Sequence, residues 1–371
     1  MRRGQIPFRS EIMPLSTQLP DGKSVPAQLA QRIYMTNVNR TYRSVASGLS
    51  RPSGYTRSPP SARPYRTPEL MANSGDGDLS SLLREASACC TARLARHVAV
   101  LDDFPLPDIA RQLDASDPWL GYRHIPDGVR HSWQSIESRF GPEATSDHLR
   151  LLLLRFIDEF ELRYTAAGLP ASFAGEFLTV FRRIVRDCLN ATPDALLCSD
   201  NFLKDLGIVR LRLVPAVSHL LYLHSGVPRR TLVRHPDLLW YVLRLGGVRP
   251  LVENHVHPLM LDRFDEAGRE RCYRLLGDLL RARPELRGLM GASWYYDPAL
   301  ARISPKLGYL HDVPARNGAV IRRMEPEGAD SGALARSARR RALFEAGRYA
   351  PHTYLMLWSR GDFLRYLTRQ N

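Results

Sequence analysis

At 371 residues and 44% hydrophobic content the chain is long enough to bury one large or two ordinary cores, and it reads as a globular protein with an attached tail. Its formal charge of +14 is uneven: residues 1–75 hold eleven Lys or Arg against Glu11, Asp21 and Glu69, so the remainder is only mildly basic and a nucleic-acid partner is not expected. No run approaches the ~18–20 consecutive apolar residues of a membrane span, and five cysteines without CxxC spacing suggest a reducing, cytoplasmic compartment rather than a disulfide framework or a zinc knuckle.

Residues 1–75 are rich in Ser, Pro, Arg and Thr and poor in periodic apolar residues, so this segment is expected to be a disordered basic tail. A helical region is predicted over 76–200. Leu79, Leu82, Leu83 and Ala86 open it at helical spacing, with Asp78 as cap. A short helix is predicted around Asp127–Arg139. Two longer ones follow at Ser146–Ala167 and Ala171–Leu189, joined by Gly168-Leu-Pro170, and their aromatic residues read as core.

From 201 to the C-terminus the pattern becomes α/β. Gly207–Pro215 alternates Val209, Leu211 and Leu213 against Arg210 and Arg212, as a half-buried strand would, and His219–His224 reads as its hairpin partner with Pro215 at the bend. Then come a helix Asp237–Leu245, a strand Leu251–His257, a helix Asp265–Arg283, a strand Leu286–Trp294 and a short helix near Pro298–Leu307. The turn Gly308-Tyr309 precedes a strand Ala319–Met324, a helix Gly332–Glu345, a strand Thr353–Ser359 and a final helix Gly361–Arg369. Strands separated by helices favour neighbours in one central sheet. The expected fold is mixed α/β, a helical N-terminal layer followed by a mixed β-sheet with flanking helices.

The run Pro250-Leu-Val-Glu-Asn-His-Val-His-Pro258 is the chemically loaded stretch. Period-two alternation puts Glu253, His255 and His257 on one face of the strand and Val252, Asn254 and Val256 on the other. Two uses compete for it. Glu253, its pKa raised by partial burial, serves as a general base with Tyr295, Tyr296 or Tyr309 as proton donor. Alternatively His255 and His257 converge on zinc or non-haem iron, with Asp262, His311 or Asp312 as third ligand. A third possibility is a non-catalytic interaction protein. Trp294-Tyr-Tyr-Asp-Pro298 reads either as a pocket lining or as a packing cluster with Asp297 capping the next helix, and the arginines of Arg336–Arg341 read as a solvated helix face.

The order strand, helix, strand, helix, with Lys306-Leu-Gly-Tyr309 after the strand Leu286–Trp294, resembles the end of a GNAT acyltransferase domain over about Gly207–Ser359. The resemblance implies acyl-CoA as cofactor, a small-molecule acceptor, and a sheet opened between the strands at Leu251–His257 and Leu286–Trp294. It implies catalytic roles for Glu253, His255, His257, Tyr295 and Tyr309, and cofactor contacts at Gly268, Arg269, Arg271 and Gly291. Where the family has a glycine-rich pyrophosphate loop, Phe264-Asp-Glu-Ala-Gly-Arg stands here, with the carboxylates of Asp265 and Glu266 beside Gly268.

Overall fold

The computed structural model describes residues 79–190, 200–335 and 337–370. The expected tail, Asp78, Cys198 and Arg336 lie outside the described residues. The helical region contains α1 (Leu79–Leu94), α2 (Ala99–Asp103), α3 (Leu106–Asp114), α4 (Asp127–Asp158), α5 (Phe160–Ala167), α6 (Ala174–Leu189) and α7 (Asp200–Val209). Gly141, at φ 85°, breaks α4 into two pieces just before Pro142, whose ring disfavours helical backbone in the residue ahead of it. Gly168 ends α5 in the left-handed region at φ 60°, the tight link expected there. The aromatics are core: the Phe160 ring meets Phe181 at 4.8 Å and Phe177 at 5.2 Å.

The stretch from Gly207 differs from expectation. It is the end of helix α7, not a strand, because Phe202, Leu206 and Val209 sit at helical spacing and are all buried, which outweighs a five-residue alternation. Arg210 and Arg212 turn back to the end of α3, donating to Ser116 Oγ at 2.9 Å and to the Ser116 carbonyl at 2.6 Å. The chain then forms β1 (Leu213–Ala216) and β2 (His219–Ser225), with Val217 and Ser218 making the bend while Pro215 pairs with Leu220 inside the hairpin.

Four more strands complete the sheet: β3 (Leu251–His255), β4 (Gly288–Ser293), β5 (Val320–Pro326) and β6 (His352–Ser359). Their order is β1-β2-β3-β4-β6-β5, and every neighbouring pair is antiparallel except β3 with β4. The connections supply α8 (Arg229–Arg234), α9 (Asp237–Arg244), α10 (Glu266–Ala282), α11 (Leu300–Ile303), α12 (Tyr309–Arg316), α13 (Gly332–Ala335), α14 (Ala338–Glu345) and, after β6, α15 (Arg360–Gln370).

Alternation divides the sheet's contacts. Val252, Leu289, Met356 and Trp358 face α10 and α15 and share a core with the helical region. Their neighbours Leu251, Met290, Leu355 and Leu357 face the other way, against Leu238, Tyr241 and Val242 of α9. Trp358 is fully buried, its indole N–H satisfied by the Asn317 carbonyl at 2.9 Å. Among the arginines expected on a solvated face, Arg340 is instead buried. It lies over the Trp294 ring at 4.7 Å and donates to Ser304 Oγ at 2.9 Å, because a guanidinium can be taken from water once a ring face and oxygen acceptors replace its hydration. No helix among the described residues is long and apolar enough to cross a membrane.

Candidate functional site

The site forms where the ladder fails. β3 is held along its length by β2, from Leu220 opposite His255 to Ser225 opposite Leu251, and β4 is held by β6 over six consecutive pairs. Between β3 and β4 only Val252 with Leu289 and Glu253 with Met290 are in register. The later residues Asn254, His255 and Gly291 to Ser293 therefore have no β3–β4 partner, and their main-chain groups need other ones.

On the α10 face the gap is crossed by side chains. The Asn254 amide nitrogen points at the Met290 carbonyl, 2.9 Å away across the opening, and its oxygen accepts from Arg269 Nη1 at 3.1 Å; the reverse orientation would set oxygen against carbonyl and nitrogen against guanidinium. Tyr296 OH is within hydrogen-bond distance of the same amide, and Arg269 also bonds His219 Nε2, which Ser218 Oγ meets from the other ring nitrogen at 2.7 Å. Burial and the adjacent Arg269 hold the His219 pKa well below its usual value, so the imidazole is neutral and can accept from the guanidinium.

Arg269 is only 3% exposed and is spent on this tie. Arg269, expected to contact the cofactor, turns inward to this tie while also lining the cavity beside it, since helical periodicity points that position of α10 at the sheet. Gly291, expected in the same role, is covered by the tie. The space above its backbone is filled by the Asn254 amide and Tyr296 hydroxyl, which a Cβ would strike.

Beside this tie lies a cavity of about 570 Å³ between α10, α12 and α15, walled by Arg269, Tyr273, Lys306, Tyr309, Arg316 and Tyr366 together with the carboxylates of Glu266, Glu270 and Asp312. The buried Tyr309 hydroxyl has no hydrogen-bond partner among the described residues, and burial pushes its pKa up to about 12, so it is a proton donor at neutral pH. Tyr309 opens α12 rather than sitting in a turn. Gly268 packs under the Arg263 carbonyl, and its N–H is capped by Asp265 Oδ1 at 2.7 Å. The first turn of α10 therefore offers no open anion cradle at Gly268, and Arg271 is exposed on another side. Tyr295 lies among rings, 5.1 Å from Phe264 and 4.3 Å from Trp294.

The opposite face carries the carboxylate. Glu253 Oε2 accepts from Ser225 Oγ at 2.6 Å, and Glu253 Oε1 stands 3.7 Å from His255 Nε2. The Tyr122 ring of the helical region meets His255 edge-on at 5.0 Å. Burial lowers the His255 pKa and Glu253 opposes that shift, which gives a neutral imidazole beside a carboxylate.

His257 does not join them. β3 stops at His255, and fully buried His257 turns to Asp205 Oδ1 of α7 at 3.2 Å. Asp205 also binds Arg183, while Lys204 donates to the Val256 carbonyl at 2.8 Å. Burial pushes the Asp205 pKa up, but Arg183 and His257 outweigh it and hold the carboxyl below its usual range. The pairing of His255 with His257 is thus corrected by where the strand ends. Nor are Asp262, His311 or Asp312 brought to either one: His311 pairs with Asp312 at 3.0 Å on α12, and no group of three His, Cys, Asp or Glu among the described residues could hold an ion.

No family model and no curated protein matches this chain. Among solved structures, the crystal structure of an acyltransferase in complex with decanoyl-CoA is similar at a TM-score of 0.35 and 12% identity, over 78% of this chain and 81% of that one. Likeness at that level leaves the functional argument to the site's own geometry.

Sequence reasoning had Glu253, His255 and Tyr309 among its candidates and missed Asn254 and Ser225. Asn254 has the opposite strand parity from Glu253, and a glycine inside the next strand, Gly291, was the available signal that something polar approaches there.

Proposed function

We propose that the chain is an acyl-CoA-dependent acyltransferase of GNAT-like architecture acting on a small-molecule amine. One observation carries the reading. The single parallel pair of an otherwise antiparallel sheet parts after two residues, with the cavity on one face and the Glu253–His255 pair on the other, and Arg269 belongs both to the cavity wall and to the tie across the gap.

In this reading the acyl donor lies in the cavity, and its thioester reaches the β3–β4 opening by displacing the Asn254–Tyr296 tie, whose place its amides then take. Lys306 and Arg316, rather than the capped start of α10, face its phosphates. The acceptor nitrogen approaches from the Glu253 side and attacks the thioester carbon as the carbon–sulfur bond breaks. Neutral His255 takes the proton released from that nitrogen, and Glu253 stabilises the imidazolium that forms. The Tyr309 hydroxyl gives a proton to the departing thiolate, so the products are an amide and free CoA.

Thermal unfolding with millimolar acetyl-, medium-chain and long-chain acyl-CoA tests this. Binding to the native state raises the midpoint by mass action. Replacing His255 with Gln should then lower turnover by about 10²–10⁴-fold, the ordinary worth of a general base, while leaving the shift in place. Absence of any shift across all chain lengths would remove the proposal.

A further inference from the structure

The connection between β2 and β3 carries two apolar faces where a surface helix needs one. Leu238, Tyr241, Val242 and Leu245 of α9 and its C-terminal turn pack on Leu251, Met290, Leu355 and Leu357 of the sheet. Leu239, Trp240 and Leu243, on the outward side of the same helix, are 50%, 71% and 61% exposed, and Val233 of the preceding α8 is 82% exposed. Helical spacing puts 239, 240 and 243 on one ridge, and such a ridge of large apolar residues is not explained by the helix's own packing.

The charges along this segment are mainly of one sign. The segment from Arg229 to Arg249 holds Arg229, Arg230, Arg234, Arg244 and Arg249 against a single acid, Asp237. Arg234 pairs with Glu325 and Asp237 with Arg322, so those two pairs leave the excess unchanged.

We infer that the α8–α9 surface docks on an anionic membrane surface. A tryptophan and leucines between arginines are the composition of an element lying in the interface, with apolar side chains among the acyl chains and guanidinium groups at the headgroups. A second copy of the chain fits poorly, because apposing two such ridges would also bring their arginine rims together. The inference stands on this surface alone, independently of the acyltransferase reading.

Co-sedimentation of the full chain with phosphatidylcholine vesicles, with and without an equal part of phosphatidylglycerol, is the test. Residues 1–75 are themselves basic, so the informative comparison is between the natural chain and the Leu239→Gln, Trp240→Gln, Leu243→Gln triple variant at one salt concentration. The natural chain should prefer the anionic vesicles, and the triple variant should lose about tenfold or more of that partitioning. If the triple variant does not fold, Arg229→Gln with Arg244→Gln takes its place and should lose the anionic preference by several-fold. Equal partitioning of natural and variant chains would overturn the inference. So would failure of the natural chain to bind anionic vesicles, including the case where light scattering shows that the ridge instead forms a dimer.

Discussion

His255 and His257 are two residues apart on one chain, yet they end in opposite situations. His257 is fully buried and clamped by a carboxylate that also holds an arginine, so it belongs to a closed set of charges joining α7 to the end of β3. His255 stands beside Glu253 under the Tyr122 ring, with no hydrogen bond to its Nε2 among the described residues and a neutral ring. A closed set gives stability and little chemistry; an incompletely satisfied pair gives the reverse. The difference comes from one structural event, the end of the strand at His255.

Removing the centre of the closed set should have the largest effect. Asp205→Ala takes the carboxylate from buried His257 and one of the two from Arg183, which keeps Asp187, and is expected to cost about 3 kcal/mol, read as a fall in the urea midpoint at unchanged slope. If Asp205→Ala costs less than Glu253→Gln, the assignment of the two clusters is inverted.

Acid should separate the two kinds of group by pH window. His148, His219 and His255 all have pKa values lowered by burial, so the unfolded chain binds protons that the native one refuses, and stability falls as pH drops below about 6.5. Asp205 and Asp200 are held below the usual carboxylate range, so their contribution persists until pH falls below about 3.8 and is then lost. His219→Gln should flatten the first window and leave the second. Unfolding midpoints measured from pH 7 to pH 3 check this, and an unchanged slope between 7 and 5 in the variant would contradict it.

Gly291→Ala drives a methyl group into Asn254 and Tyr296 and should destabilise by about 1–3 kcal/mol, as overpacking does. The smallest effect is expected at Glu253→Gln. Ser225 can still donate to the amide oxygen, so the stability change should stay below about 1 kcal/mol, measured by the same denaturation.

These contrasts also mark what the sequence could show. Helix α10 was legible because Cys272, Leu276, Leu279 and Leu280 repeat at helical spacing and all are buried. Alternation correctly put Glu253 and His255 on one face and Asn254 on the other. Alternation says nothing, however, about how far a strand runs, and so His257 was assigned to the wrong company. Arg210 and Arg212 imitated a strand because their partners lie near residue 116, and Arg340 imitated a solvated residue because its partners are Trp294 and Ser304. Long-range acceptors leave no local period. The inward turn of Arg269, by contrast, follows from its helical spacing with Cys272, Tyr273 and Leu276.

The tie of Asn254, Tyr296, Arg269 and His219 stands where a sheet would ordinarily carry main-chain bonds. A ladder is all or nothing, since slipping it by one residue reverses every side chain, whereas side-chain bonds are released one rotamer at a time. The width of the seam between β3 and β4 is therefore an adjustable quantity, written in four side chains, that evolution or an engineer can widen by substitution without disturbing the register of either half of the sheet.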